Sequence, residues 1–381
     1  MLYRTFPKIP ELKVSALGLG CMRLPVIADD PSAIDEAGAS DILKAAIDAG
    51  VNYVDTAWPY HREQSEPWLG RAIKTLDCRD SVLLATKAPI WLIGEEADWE
   101  KCLSEQLGRL QTDHIDFYLV HALNRQRWQT VLKTGGLDFL ARARAEGRIR
   151  HVGFSFHDNI DTFKTIVDGY QDWDFCQVQY NYLDEEYQAG DAGIRYAADR
   201  GIGVIVMEPL RGGLLARAPD GVRKIFARYP TPRMPAEWAL RHVLDRQEVV
   251  TVLSGMGTTG QLWENAAVAS SARPNSITRG ERAVLDEARA WLVSRMAVPC
   301  TACGYCSPCP SGVNIVDTFG MWNEASMFGT LEANSKAYRT TLVANGKGVE
   351  LCTECGACLP KCPQGIDIHA MLKKAHAALS G

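Results

Sequence analysis

A closed (β/α)8 barrel of the TIM type, followed by a small and mainly helical domain, is the fold the sequence predicts, on three observations. Between residue 13 and residue 270, eight short apolar runs alternate with amphipathic stretches of helical period; eight βα units in about 250 residues match a closed ring of parallel strands better than an open sheet. Three of the runs end in a single ionisable residue: VNYVD at Asp55, SVLLATK at Lys87 and IDFYLVH at His121. A strand buried on both faces is a near-continuous hydrophobic run, so a polar residue at its exit has left the core and faces a shared opening. Beyond Pro299-Cys300 the pattern changes abruptly, to two cysteine-dense segments.

Taken in order, the first residues carry turn signals at Pro7 and Pro10 and form a small cap at the end of the barrel opposite the opening. The strand runs are 15–20, 51–55, 81–87, 115–121, 150–155, 175–179, 202–207 and 249–253, with helices expected between them at 40–49, 99–110, 136–146 and 192–200. Residues 281–296 read as one more helix. The domain boundary falls near 297, giving a barrel at 1–296 and a tail at 297–381; with no Gly/Ser-rich linker between them, the tail is expected to dock directly on the barrel.

The bulk composition excludes several classes. Hydrophobic residues at 46% and charged residues at 23% are ordinary globular values, and no run approaches the roughly 18 apolar residues of a membrane span. The opening MLYRTFPKIPELK lacks the apolar core of a signal peptide, so a cytoplasmic chain is expected. A net charge of -5 without blocks of like charge offers no footprint for nucleic acid. Of the twelve cysteines, Cys21, Cys78, Cys102 and Cys176 are isolated and read as buried small hydrophobes, while the other eight lie in two clusters, a pattern that suggests metal.

An acid, a phenol, an amine and an imidazole around one opening suit proton delivery to a carbonyl oxygen. The phenol is Tyr60, in the loop after Asp55. Free tyrosine, with a pKa near 10, relays protons poorly at neutral pH, and the Lys87 ammonium is expected to bring that value down, with Asp55 holding the lysine in place and His121 orienting the substrate oxygen. Singly, each residue also has a plain structural reading: a turn residue, a solvated strand end, a rim aromatic, a satisfied histidine. The set at consecutive strand exits weighs against those readings.

The stretch DTAWPYHREQSEPWLGRAI, the Lys87 of LLATK and the YLVH ending in His121 resemble the aldo-keto reductases over roughly residues 1–295. The resemblance implies a barrel, a nicotinamide cofactor, Tyr60 as acid, and Asp55, Lys87 and His121 in support. It further implies cofactor contacts from Gly20, Cys21 and Met22, from Ser155 and Gln177, from Met207, Glu208, Pro209 and Leu210, and from Gly255, Gln261, Glu264 and Asn265. The chain departs from the family at Phe156, where an amide-binding Asn is usual, and at Met207, where many members stack an aromatic ring. No cation lies between Ser254 and Asn265 to meet a 2′-phosphate. Each missing charge-assisted bond costs about 2 kcal/mol, so NADH is favoured over NADPH unless Arg211 or Arg23 supplies the charge.

In the tail, Cys300, Cys303, Cys306 and Cys309 form one group, and Cys352, Cys355, Cys358 and Cys362 the other, each closing in Cys-Pro. Three thiolates at C-x2-C-x2-C wrap one cubane while the Cys-Pro ligates the other, so two [4Fe-4S] clusters are expected, with Cys362 completing the first set and Cys309 the second. The first group has two residues, not three, before its last cysteine. A zinc site is the rival. The helical pattern at 311–351 and 367–379 resembles helical ferredoxins, and barrel plus tail resemble the iron-sulfur branch of the aldo-keto reductases. The clusters serve either structure or electron transfer to a redox protein partner; transfer needs a group that splits a hydride into single electrons, and a flavin could do so, although the sequence shows no flavin fingerprint. The reaction expected is hydride transfer to a carbonyl or alcohol substrate, a sugar or polyol being one class. The alternative is a redox-sensing or electron-transfer adaptor whose barrel binds nucleotide and turns over little.

Overall fold

The computed structural model describes residues 1–381. Strands β1 (Tyr3–Phe6) and β2 (Ile9–Ser15) pair antiparallel as a hairpin. The next eight strands close a parallel barrel: β3 (Leu17–Gly20), β4 (Tyr53–Asp55), β5 (Leu83–Ala88), β6 (Ile115–Leu123), β7 (Ile149–Phe156), β8 (Phe175–Gln179), β9 (Gly203–Met207) and β10 (Val249–Ser254). Each pairs with its successor, and β10 returns to β3. All eight expected runs became strands. The run at 15–20 is divided: Ser15 ends the hairpin, its hydroxyl donating to the Leu17 carbonyl oxygen at 2.7 Å, and the barrel strand starts at Leu17.

Helices alternate with the strands in the order the sequence predicts. In the barrel these are α1 (Glu36–Asp48), α2 (Ser65–Thr75), α3 (Glu96–Leu110), α4 (Arg125–Lys133), α5 (Gly136–Ala145), α6 (Ile160–Asp168) and α7 (Gly190–Ala198). Their starts have physical causes: Asp35, Asn124 and Asn159 accept backbone N–H groups from the first turns of α1, α4 and α6, satisfying donors with no intrahelical partner.

The hairpin plugs the amino-terminal end of the barrel, as the turn signals imply. Phe6 lies 5.3 Å from the Phe117 ring and 6.0 Å from the Phe175 ring, within a buried cluster that includes Tyr53, Ile205 and Val250. A second core, between strands and helices, holds Leu43, Leu103, Val152 and Val204. With its base filled by rings, the barrel opens only toward the strand carboxyl ends.

Contacts divide the chain into two compact units, Met1–Gly212 with Ala236–Ile277, and Gly213–Pro235 with Thr278–Gly381. The first also contains α9 (Pro235–Leu244) and α10 (Thr259–Ser271); the second contains α8 (Asp220–Phe226), α11 (Arg279–Val293), α12 (Ile315–Phe328), α13 (Leu331–Ala337) and α14 (Ile368–Ser380). The second unit is thus mainly helical, with its own core of Val298, Phe319, Tyr338, Leu342, Leu372 and Leu379. No helix is long and apolar enough to cross a membrane.

A Cβ at Gly203 would lie 2.0 Å from a ring carbon of Phe6. Gly203→Ala is therefore expected to lower stability by about 1–3 kcal/mol through overpacking, read as a fall in melting temperature, and the double variant with Phe6→Leu should recover part of the loss.

Candidate active site

The barrel registers bring the polar strand ends to one level. Gly20 of β3 pairs with Asp55 of β4, Asp55 with Ala85 of β5, and Lys87 with Leu119 of β6. Lys87 is 1% exposed, and its ammonium donates to Asp55 Oδ1 at 2.7 Å, to the Thr56 carbonyl oxygen at 2.8 Å and to Tyr60 Oη at 3.4 Å. Gln177 Nε2 donates to the other Asp55 oxygen at 3.1 Å. The Tyr60 ring meets His121 edge-on, with centroids 6.3 Å apart. All four residues chosen from the sequence therefore meet, at the exits of β4, β5 and β6.

Electrostatics separate their roles. Burial by itself would lower the Lys87 pKa, but Asp55 and Tyr60 outweigh it and hold the ammonium charged above its usual range. Burial pushes the Asp55 carboxyl up, against the pull of Lys87 and Gln177. The expected fall in the Tyr60 value is not found. Lys87 does pull it down, yet burial is the larger effect and Asp55 adds to it, so the phenol lies above its usual value and stays protonated at neutral pH. Burial, reinforced by the basic groups Lys87, His157 and Arg127, drives the His121 value well below normal, leaving a neutral imidazole whose Nδ1 has no hydrogen-bond partner.

Behind Lys87 lies a buried polar network that the sequence reading missed. Glu66, fully buried in the first turn of α2, accepts from Thr86 Oγ1 and Gln106 Nε2, each at 2.6 Å. Gln106 also donates to the Lys87 carbonyl oxygen at 3.1 Å and accepts from the Tyr118 hydroxyl at 2.9 Å. The available signal was an acid on the apolar face of an amphipathic helix, which is informative only when its burial is known.

The residues that the resemblance implied for a cofactor all lie at the same end of the barrel. Gly20 ends β3; Cys21 is buried and Met22 is 59% exposed in the turn beyond it. Ser155 Oγ accepts the Ala122 N–H at 2.7 Å, while Gln177 is engaged with Asp55. Met207 ends β9, and Glu208, Pro209 and Leu210 come directly after it; Glu208 has φ 55°. Gly255 succeeds β10 beneath the Arg23 side chain, and Asn265 Nδ2 donates to Ser254 Oγ at 3.1 Å. Gln261 accepts the Gly257 N–H, and Glu264 is exposed on α10. Arg211 pairs with Asp184, so it is not a spare cation for a phosphate. Arg23 lies against both Gly212 and Gly255, in the loops after β9 and β10, where barrels commonly seat phosphate. Phe156 is buried against Phe163, 5.1 Å away, and offers the mouth no polar group. Trp99 packs inside, donating to Thr134 Oγ1, whereas Trp91 is 44% exposed with its ring 5.1 Å from His121.

The tail requires a correction. Nowhere in the chain do three or more His, Cys, Asp or Glu gather so as to hold a metal ion, so the expected pair of [4Fe-4S] clusters, and the zinc rival, are overturned. Cys300, Cys303, Cys306 and Cys362 line one cavity beside Ile315 and Phe319 without forming a common ligand set. In the other group Cys355 is exposed and Cys358 buried. Spacing brought the cysteines into neighbouring turns without assembling a metal site. Cys21, Cys78, Cys102 and Cys176 are buried, as expected.

Comparison with known proteins agrees with the barrel. Residues 16–276 match the model of the aldo/keto reductase family, and 299–366 that of the 4Fe-4S dicluster domain, a match of sequence to which the cysteine geometry above adds no metal site. An aldo-keto reductase of Bacillus subtilis, YhdN, is 32% identical over 194 residues, which span 48% of this chain and 54% of that protein. L-galactose dehydrogenase of Arabidopsis thaliana is 27% identical, over 67% of this chain and 84% of its own. The solved holo form of an aldo-keto reductase from Bacillus halodurans superposes with a TM-score of 0.62 at 27% identity, covering 76% of this chain and 96% of that one. The chain belongs to the aldo/keto reductase family and is an NAD(P)-dependent oxidoreductase.

Lys87→Met leaves the Asp55 carboxylate buried without its cation, a loss of roughly 3–5 kcal/mol by the general behaviour of broken buried pairs. Without the ammonium, burial raises the folded-state Asp55 pKa further above its unfolded value. The protonated acid is then tolerated at low pH and the penalty grows as pH rises through that value. Melting curves should show the deficit widening from pH 4 to 8, and Lys87→Met with Asp55→Leu should recover most of it.

Proposed function

We propose that the barrel interconverts a carbonyl and an alcohol, with Tyr60 as proton donor to the carbonyl oxygen, Lys87 and Asp55 as its electrostatic support, and His121 as the group that positions the substrate oxygen. The observation that carries this reading is the chain of contacts from Asp55 through the Lys87 ammonium to the Tyr60 hydroxyl, at 2.7 and 3.4 Å, at the open end of the barrel. Residues 1–296 form the catalytic part in this reading, and 297–381 an appended one.

The mouth suits a nicotinamide dinucleotide, which supplies the hydride when bound. Polar groups from separate elements, Ser155 of β7, Gln177 of β8 and Asn265 of α10, line the opening. Gly20, Gly212 and Gly255 leave backbone room, and Arg23 lies over the last two. These residues would hold the cofactor, with Cys21, Met22 and the segment Met207 to Leu210 along its path and Gln261 and Glu264 near its far end.

As the carbonyl oxygen gains charge it draws the proton from Tyr60. The phenolate left behind faces the Lys87 ammonium, whose charge is secured by Asp55 in a site that excludes water. His121, held neutral by burial, donates an imidazole N–H to the same oxygen without competing for the proton. A general acid so placed contributes about 10²- to 10⁴-fold.

Tyr60→Phe is therefore expected to lower kcat for carbonyl reduction by about 10²- to 10⁴-fold with little change in cofactor binding; unchanged turnover over a panel of aldehydes and ketones would remove Tyr60 from the reaction. Because the phenol lies above its usual range, reduction should stay level from neutral pH up to about 10, the free phenol value. Alcohol oxidation, which needs the phenolate, should instead rise with pH across that window. Neither profile should show a limb from His121 near 6.5.

A further inference from the structure

We propose that Arg127 is an anion anchor at the rim of the mouth and that the preferred carbonyl substrate bears a carboxylate on the side remote from Tyr60. The inference rests on the reductase reading above and adds the substrate class to it.

Arg127 is held there by two independent features. Its backbone N–H, in the first turn of α4, donates to the capping Asn124 side chain at 2.8 Å. Its guanidinium turns back toward the strand end, where Nη1 donates to the Ala122 carbonyl oxygen at 2.8 Å. Ala122, the residue after His121, has φ 51°, and the register of β6 against β7 shifts between Val120 and Leu123. An L residue in the left-handed region persists only where its surroundings over-determine it, and bulges beside active sites commonly re-aim side chains. Here both polar groups of Ala122 are committed, its N–H to Ser155 and its carbonyl to Arg127. One irregularity thus sets His121 and Arg127 together.

A continuous path joins them to the proton donor. Tyr60 meets His121 at 6.3 Å, His121 meets Trp91 at 5.1 Å, and the Arg127 guanidinium lies 5.8 Å from the Trp91 ring. Two other arginines of the barrel are neutralised, Arg211 by Asp184 and Arg109 by Glu63, Glu66 and Glu105. Arg127 pairs with no carboxylate, and the titratable groups facing His121 are Lys87, Arg127 and His157, the last with its own value lowered by burial. Lys87 is cancelled by Asp55, so the rim keeps a surplus positive charge with free N–H donors. A single guanidinium matches a single carboxylate in charge and in planar geometry. The partly exposed Trp91 ring offers a flat apolar face for whatever links that carboxylate to the carbonyl.

The test uses the full chain with 4-carboxybenzaldehyde and its methyl ester, each with NADH and with NADPH. Wild type is expected to favour the acid by roughly 10- to 100-fold in kcat/KM, the scale of one charge-assisted pair. Arg127→Gln should bring the acid to the level of the ester, chiefly through KM, and Arg127→Lys should retain part of the preference. Equal handling of both aldehydes by wild type, or equal slowing of both by Arg127→Gln, would overturn the anchor. A separate measurement keeps it apart from the reductase reading: quenching of Trp91 fluorescence by benzoate against benzamide, with Trp91→Phe as blank. Benzoate binding that disappears in Arg127→Gln supports the anchor even if neither aldehyde turns over, a result that would sink the reductase reading alone. No benzoate binding by wild type sinks the anchor whatever the turnover.

Discussion

The buried ion pair between Lys87 and Asp55 is the constraint to which the rest of the barrel mouth answers. Placing two charges where they are 1% and 3% exposed is expensive, and their attraction offsets this only when the remaining hydrogen-bonding capacity is filled. Here it is filled from three directions. The Thr56 carbonyl and the Tyr60 hydroxyl complete the ammonium, and Gln177 takes the second carboxylate oxygen from the far side of the ring. The pair therefore ties β4, β5 and β8 together at one level, and it needs those strands to be in register before it is worth forming.

That dependence explains why so much of the molecule is devoted to rigidity. The hairpin fills the base with Phe6, and the rings of Tyr53, Phe117 and Phe175 close the lower barrel. Above them the polar layer has no room to rearrange. Behind it, Glu66, Thr86, Gln106 and Tyr118 form a second buried set that fixes the Lys87 main chain. Burial raises the Glu66 carboxyl, and Thr86, Gln106, Arg109 and Lys87 act against that rise, so this layer feels the charge of the first. Donor and support are thus held in place before any substrate arrives, the arrangement that electrostatic catalysis favours.

The phenol shows how competing effects are decided by magnitude. A neighbouring ammonium lowers a tyrosine, and from the motif alone that is the natural expectation. In the folded site the same ammonium is already neutralised by Asp55, and the loss of water is the larger influence, so the value rises. A protonated phenol beside a secured cation is a suitable donor for reduction, and the support from Lys87 is realised only when negative charge appears on the oxygen.

Local pattern determined the strand runs, the barrel, the helical tail and the residues Asp55, Tyr60, Lys87 and His121, because each depends on periodicity or on the residue type at the exit of a buried run. The tail marks the limit of that reasoning. Its cysteines have ligand-like spacing, yet spacing within a turn does not set the distance between sulfurs from segments far apart in the chain, and the structure gathers no metal site. Likewise Gln177 as the partner of Asp55, the buried Glu66 network, and the unpaired Arg127 beside Trp91 all depend on contacts across the ring. Such contacts are fixed by strand register and by local irregularities such as the one at Ala122. Neither is written in a local pattern, since both arise from how distant segments pack.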